Sequence, residues 1–356
     1  MAGNKNLNRA AKAKFDEFYT RIEDIENECG NYKKFFRDKI ILCNCDDPYE
    51  SKFFQYFAMN FNVLGLKKLI SSSYAGSLVV QSELNFEGTP NEIEDFDRTK
   101  DGLKAKMTEF KDWNGDGRED LEDVKYFLQH HNGAIKKLYG DKKFSAGDFR
   151  SPECIELLKQ ADIVVTNPPF SLFREYIQQL IDYDKKFLII GSLNAVTYKE
   201  IFPLIMQNKI WLGYGFNGGN AYFSLPGNEG KNFAKGVYDT KTNLVKFRNL
   251  HWFTNLDVKK RHENIRLMYS YEKNPEKYPK YDNFDAIEVS KTLEIPKDYF
   301  GVMGVPISFL NEYNPEQFEI VGVANHGKDN EYDLFSPSVN GKNIFKRILI
   351  RRKVAD

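Results

Sequence analysis

The stretch ADIVVTNPPF, residues Ala161–Phe170, decides the reading of this chain. Ile163 to Thr166 form a short, continuous apolar run, the pattern of a strand buried on both faces. The chain then meets Asn167, Pro168 and Pro169 before it presents Phe170. Each proline fixes φ at about −65° and carries no N–H. For two residues the segment therefore offers carbonyl acceptors and no competing donor, with the Asn167 side-chain carbonyl beside them. Two acceptors converging on one spot suit an amino group with two hydrogens, and Phe170 offers a face to a planar ring. The combination fits an aromatic amine such as adenine N6, whose lone pair is delocalised into its ring. Acceptors on both N–H bonds orient that nitrogen and withdraw positive charge as it attacks an electrophilic methyl group.

Outward from this segment, apolar runs and helical periods alternate. KIILCNC (Lys39–Cys45), LKKLISSSY (Leu66–Tyr74) and KKFLIIGS (Lys185–Ser192) read as strands. SKFFQYFAMNF (Ser51–Phe61) and SPECIELLKQ (Ser151–Gln160) read as helices, the second opened by a Ser cap. SLFREYIQQLI places Phe173, Tyr176, Ile177, Leu180 and Ile181 on one helical face. This alternation predicts an α/β architecture whose parallel sheet is covered on both faces. Ligands of such sheets sit beyond the carboxyl ends of the strands, which is where Asn167 falls. In KIWLGYGFNGGNAYFSLP (Lys209–Pro226) two aromatic runs flank a Gly/Asn turn, the sign of an antiparallel hairpin. Beyond Pro226 the alternation stops. The expected division is residues 1–226, with an acidic insertion at about 87–131, and an irregular second domain at 227–356.

Lysine plus arginine and aspartate plus glutamate balance at 51 each in 356 residues, so no global basic field draws the chain to nucleic acid. Any such contact must come from local patches. Basic residues cluster at Lys5, Arg9, Lys12 and Lys14, at Lys259, Lys260 and Arg261, and in FKRILIRRK, which carries Arg347, Arg351 and Arg352. The last two clusters are candidates for phosphate contacts or base-edge recognition. Four cysteines without a CxxC pair exclude a disulfide framework and a zinc signature, and no run approaches the ~20 apolar residues of a membrane span. A cytoplasmic protein is expected. DWNGDGREDLED (Asp112–Asp123) follows the calcium-loop pattern at Asp112, Asn114, Asp116 and Asp123. Helix-like segments, LKAKMTEF before and LEDVKYFLQ after, flank it, so a polar helix–helix turn is the competing reading.

The chain resembles the amino-group methyltransferases that use S-adenosylmethionine, whose motif is Asp/Asn/Ser-Pro-Pro-aromatic. More specifically it is similar to the EcoRI-type modification methylases, which act on adenine N6 in DNA. KFDEFYTRIEDIENE (Lys14–Glu28), ILCNCDDPYESKFFQYF (Ile41–Phe57), the stretch Gly147–Ile177, LNAVTYKEIFPLI (Leu193–Ile205), WLGYGFNGGNAYF (Trp211–Phe223), HWFTNLD (His251–Asp257) and GVPISFLNEYNPEQFEIVG (Gly304–Gly322) carry the resemblance in order. It implies a Rossmann-like methyltransferase fold: a mostly parallel seven-stranded sheet with a terminal antiparallel hairpin, plus a smaller irregular α+β target-recognition domain. It also implies S-adenosylmethionine as cofactor and a flipped adenine in double-stranded DNA as substrate. The protein would be a monomer in a bacterial or phage-infected cell, and would need no partner restriction endonuclease for activity.

By the same resemblance, Asn167, Pro168, Pro169 and Phe170 are catalytic. Phe18, Tyr19 and Thr20 match the N-terminal motif that closes over the cofactor. Asp148 and Phe149 match the pair that reads the cofactor adenine. Phe216, or Tyr222 instead, falls where a second aromatic packs on the flipped base. One departure stands out. Most of these enzymes carry a Gly-rich loop after the first strand, and here the loop is CNCDDPYES, without a glycine. Asn44, Asp46 and Asp47 could hold the methionine part of the cofactor, or form an Asx-rich turn that caps the helix at Ser51. The competing functions are an amino methyltransferase acting on RNA or protein, and a DNA-binding relic without activity.

Overall fold

A computed structural model describes residues 19–74, 101–224, 236–327 and 331–354. The chain forms two compact units: residues 1–191 with 215–256, and residues 192–214 with 257–356. The chain therefore crosses between units three times, after residues 191, 214 and 256.

The first unit holds strands β1 (Tyr19–Thr20), β2 (Ile40–Asn44), β3 (Lys68–Ser72), β4 (Gly102–Met107), β5 (Ile135–Leu138), β6 (Ile163–Thr166) and β7 (Lys186–Ser192). After β8 (Trp211–Leu212), which belongs to the second unit, come β9 (Ala221–Ser224), β10 (Tyr238–Asp239), β11 (Leu244–Phe247) and β12 (Leu250–Thr254). Its large mixed sheet runs β5-β4-β3-β2-β6-β7-β12. The four central strands β3-β2-β6-β7 are parallel, whereas β3–β4 and β4–β5 are antiparallel. The helices Lys52–Met59, Pro152–Gln160 and Phe173–Asp182 bury their apolar faces, and Ser51 and Ser151 cap the first two by accepting backbone N–H bonds. An α/β architecture is therefore present, and the strands and helices read around Asn167 lie where the sequence predicts them.

Two expectations are corrected. LKAKMTEF is not a helix: Gly102–Met107 is strand β4, with Leu103, Ala105 and Met107 buried in alternation against β3. Period 2 prevails there because the edge of β3 offers unpaired backbone groups. The second correction concerns the hairpin expected in residues 209–226: among the described residues, β8 and β9 do not pair with each other. β9 pairs with β1 and β11 in a separate four-stranded sheet of order β1-β9-β11-β10, to which β8 does not belong. Gly215 begins the stretch between them at φ +95°, and its N–H donates to the buried Glu28 carboxylate at 2.9 Å, so the turn is spent on anchoring.

In the second unit, β14 (Met303–Pro306), β15 (Phe318–Ala324) and β19 (Arg347–Arg352) form the centre of a sheet, with β19 antiparallel to both neighbours. The outer strands are β13 (Ile287–Glu288) and β16 (Asp333–Phe335), and a two-stranded hairpin joins β17 (Ser338–Val339) to β18 (Lys342–Asn343). Among the described residues no helix is long and apolar enough to cross a membrane.

Candidate active site

The order β3-β2-β6 makes the β2/β6 boundary the point where the chain reverses its direction of sheet building. Ligands of open α/β sheets collect at such a switch point, beyond the carboxyl ends. Two segments leave the sheet there: Cys45–Pro48 after β2 and Asn167–Phe170 after β6. The parallel register that sets Leu42 beside Val164 brings Asn44 beside Thr166.

After β6, Asn167 is 7% exposed and Pro168 is buried. The Pro169 carbonyl accepts from the Leu172 N–H at 3.1 Å, which starts the turn Phe170–Leu172 and then the helix behind it. That bond commits the Pro169 carbonyl. No described residue donates to the Pro168 carbonyl, so it is the backbone acceptor left beside the Asn167 amide. Phe170 is half-buried.

After β2, the glycine-free loop reaches the same end by other means. Cys45 adopts a left-handed conformation at φ +64°, a region that costs an L-residue roughly 1–2 kcal/mol. The turn then directs Asp46 inward. Its carboxylate accepts from Ser51 Oγ at 2.7 Å and from Thr166 Oγ1, while its carbonyl accepts from Ser71 Oγ and its N–H donates to Ser72 O at 2.9 Å. Thr166 Oγ1 also lies within reach of the Asn44 carbonyl, and Tyr176 OH donates to Asn44 Oδ1. Burial pushes the Tyr176 phenol well above its ordinary range, so it remains a donor. Asp47 accepts from the Tyr49 N–H at 2.9 Å, the Asx turn that leads into the Ser51 cap. Asn44, Asp46 and Asp47 are thus brought together and buried at the switch point, in an Asx-rich turn that leads into the Ser51 cap.

Gly147 supplies the close approach that the β2 loop does not. It has φ +77°, and a Cβ there would stand 1.8 Å from the Ser73 carbonyl oxygen. Asp148 follows, gripped by Arg150 through Nε at 3.0 Å and Nη2 at 2.8 Å. Phe149 is buried, edge-on to Tyr176 with ring centroids 4.9 Å apart. Thr20 and Asp24 are both buried, and Thr20 Oγ1 and Asp24 Oδ2 have no hydrogen-bond partner among the described residues. Burial raises the Asp24 carboxyl, with Arg21 opposing. They lie on β1 and on the helix Ile22–Cys29, both packed on the Lys52–Met59 helix. Phe18 and the Tyr19 side chain lie outside the described residues. Thr166 and Tyr176, bonded to Asp46 and Asn44, join this cluster though motif reading missed them, and so did the buried Asp24. For Asp24 the signal was its place four residues after Thr20.

Phe216 is buried and stacks on Trp252 at 5.8 Å. Tyr222 is half-exposed, opposite Lys246 in the β9–β11 register, and lines a cavity of about 450 Å³ with Arg21, Tyr238 and Lys246. The basic residues of the second unit divide sharply. Arg261 lies 4.1 Å over the Trp211 ring and donates to Asn208 at 2.7 Å, and Arg347 forks onto the buried Glu288 at 2.6 and 3.1 Å. Lys260 reaches the Gly213 and Tyr214 carbonyls at 3.3 and 3.4 Å. Lys259 is exposed, Arg351 faces Glu319 at 3.6 Å on the surface, and Arg352 lies over Phe300 at 5.1 Å.

In Asp112–Asp123 the acidic side chains turn onto the loop's own backbone. Asp112 accepts from Gly115, Asp116 and Gly117, Asn114 from Asp116, and Asp116 from Arg118. Burial pushes the Asp123 carboxyl upward, and bonds from Asp120, Asn114 and Trp113 outweigh it and hold the carboxyl low. Among the described residues no group of three or more His, Cys, Asp or Glu side chains is gathered as for a metal.

A mixed α/β sheet with Asn-Pro-Pro-Phe at its switch point defines the class of amino-group methyltransferases. The sequence model of the adenine-specific methyltransferase EcoRI family matches residues 6–353. The Type II methyltransferase M.EcoRI of Escherichia coli is 46% identical over 99% of this chain and 98% of its own length. M.MgeORF184P of Mycoplasma genitalium is 38% identical over 98% of this chain and 99% of its own, and M.MpnI of Mycoplasma pneumoniae 38% over 88% and 84%. No solved structure matches. The chain belongs to the EcoRI family of adenine-specific methyltransferases.

Proposed function

We propose that the protein methylates adenine N6 at a specific site in duplex DNA, using Asn167–Phe170 as its catalytic motif, as the modification enzyme of a restriction-modification system or alone. The observation that carries this reading is the pair of acceptors at the β6 end: the Asn167 amide, and a Pro168 carbonyl that no described residue engages.

The residues fit S-adenosylmethionine. Polar side chains surround the switch point, and Thr20 Oγ1 and Asp24 Oδ2 are buried oxygens still lacking partners among the described residues. When bound, the cofactor supplies an electrophilic methyl group. Phe18, Tyr19, Thr20, Asn44, Asp46, Asp47, Asp148 and Phe149 are the residues that would hold it. Within that set Thr20 favours direct contact, and Asp24 joins it from outside the set, because Asp46 is bonded to Ser51 and Thr166, Asp47 to the Tyr49 N–H, and Asp148 to Arg150. The fold on which they sit is read as the Rossmann-like seven-stranded form of this class.

The base must leave the stack to reach Asn167, at a cost of about a few kcal/mol. Stacking on Phe170 and on Tyr222 offsets roughly 1–3 kcal/mol per base. Tyr222 is favoured over Phe216, whose ring already stacks on Trp252. The Asn167 and Pro168 carbonyls each accept one N–H of the amine, fix its orientation and draw off positive charge, and the surplus proton leaves to water. Positioning supplies most of the rate. The second unit reads the target, with Lys259, Arg351 and Arg352 as its surface cations. The protein acts as a monomer and without a nuclease. Sequencing DNA from cells expressing the protein should show methylated adenines at one sequence. Asn167→Ala should erase the mark with folding intact, and a mark that survives would overturn the assignment.

A further inference from the structure

Phe345 is the most exposed large apolar side chain among the described residues, at 81%. A lone exposed ring is ordinary on a protein surface. Its mounting is not. The hairpin before it turns through Asn340 and Gly341, both at positive φ, and Asp282 accepts their two N–H groups at 2.9 Å each. Ile344 is held on both sides of its peptide: its N–H donates to Pro337 O at 3.0 Å, and its carbonyl accepts from His326 Nε2 at 2.7 Å. The Phe345 and Lys346 carbonyls accept from Arg347 Nη1 at 3.1 and 3.3 Å, while the same guanidinium is locked on Glu288. Lys346 turns inward to Thr197 Oγ1 at 3.0 Å, and burial lowers its ammonium below the usual lysine range.

Three consecutive carbonyls outside regular pairing are therefore fixed by side chains, and the ring they carry projects into solvent. Conformational entropy is usually lost only where ordered groups make contacts. Here the contacts hold the backbone, and the aromatic ring gains none. The fixed backbone thus preorganises the ring for a partner. The partner indicated by the family is DNA, and Lys342, three residues before the ring, is exposed on the same hairpin.

We propose that Phe345 is a wedge that inserts at a base step of the duplex substrate, with Arg347, Glu288, His326 and Asp282 as its mount. Apolar side chains inserted between base pairs partly unstack them and kink the duplex. Arg347, which the sequence marks as a DNA contact, then acts through the backbone of Phe345. The proposal rests on the DNA substrate argued above.

The test uses the full-length protein and a duplex bearing the sequence it is found to methylate, with 2-aminopurine substituted at one position at a time. Besides the flipped adenine itself, wild type should raise fluorescence at one further base step, and Phe345→Ala should abolish that second rise. Phe345→Ala should also weaken duplex binding roughly tenfold, as expected for loss of one aromatic stack. Phe345→Trp should preserve both. Thermal unfolding should be the same for all three, since the ring is exposed. Binding and fluorescence of Phe345→Ala within twofold of wild type would overturn the proposal. So would early unfolding of that variant, or a loss of self-association instead of DNA binding. If wild type itself methylates no DNA, the functional reading fails before this one is reached.

Discussion

The loops after β2 and β6 leave adjacent parallel strands at one switch point, yet they are held by different physics. Asn167–Phe170 is stiffened by covalent geometry: two prolines fix the backbone and remove its donors. Cys45–Pro48 is stiffened by bonds from elsewhere. Asp46 is tied to Ser51, Thr166, Ser71 and Ser72, and Asn44 to Tyr176, across as many as 132 residues of chain. The first loop draws its shape from its prolines, which also leave the Pro168 carbonyl without a donor among the described residues. The second spends its side chains on its shape. A lost side chain should therefore cost rate in one loop and stability in the other.

Asn167→Ala should show the largest effect. Loss of one preorganised polar contact at a reacting centre lowers kcat by about 10²–10³. Unfolding should stay near wild type, so a variant that melts early would break the contrast. Asp46→Ala comes next. It leaves the buried Ser51 hydroxyl without its acceptor, while Thr166 keeps the Asn44 carbonyl, at about 1–3 kcal/mol by chemical denaturation. A full loss of turnover with unchanged stability would instead make Asp46 a direct reactant contact.

Tyr176→Phe removes one bond to Asn44 and should lower stability by about 1 kcal/mol. Because Tyr176 also packs on Phe149, it should raise KM for S-adenosylmethionine more than it lowers kcat. The reverse split, seen in steady-state kinetics, would place Tyr176 nearer the chemistry. The smallest effect is expected from Cys45→Gly. Relief of about 1–2 kcal/mol at positive φ is offset by the roughly 0.5–1 kcal/mol that glycine loses on folding. Stability should rise slightly and activity should persist. A clear loss would show that the thiol matters beyond the turn.

The central strands, their helices and the Asn167 motif were legible because each is encoded locally, by apolar runs, capping serines and prolines. The strand Gly102–Met107 was not, since only its pairing with β3 and β5 favours period 2 over a helix. The stretch around Gly215 read as a hairpin turn because its true partner, Glu28, lies 187 residues away. Arg261 and Arg347 look identical to Lys259 in a charge count, and only Trp211 and Glu288 show that they are spent inside the fold. The role of Asp46 was half legible: a carboxylate in the loop after β2 was visible, but the hydroxyls that claim it are the Ser51 cap and Thr166 on β6, the second 120 residues away.

The proposed role of the Asn167 and Pro168 acceptors, holding adenine N6 of DNA for methylation, is checked by incubating the purified protein with duplex DNA and methyl-labelled S-adenosylmethionine, then digesting the DNA to nucleosides and separating them. The label is expected in N6-methyldeoxyadenosine, and to vanish with Asn167→Ala. Label in methylcytosine, or none in the DNA while the folded protein binds cofactor, would contradict the account.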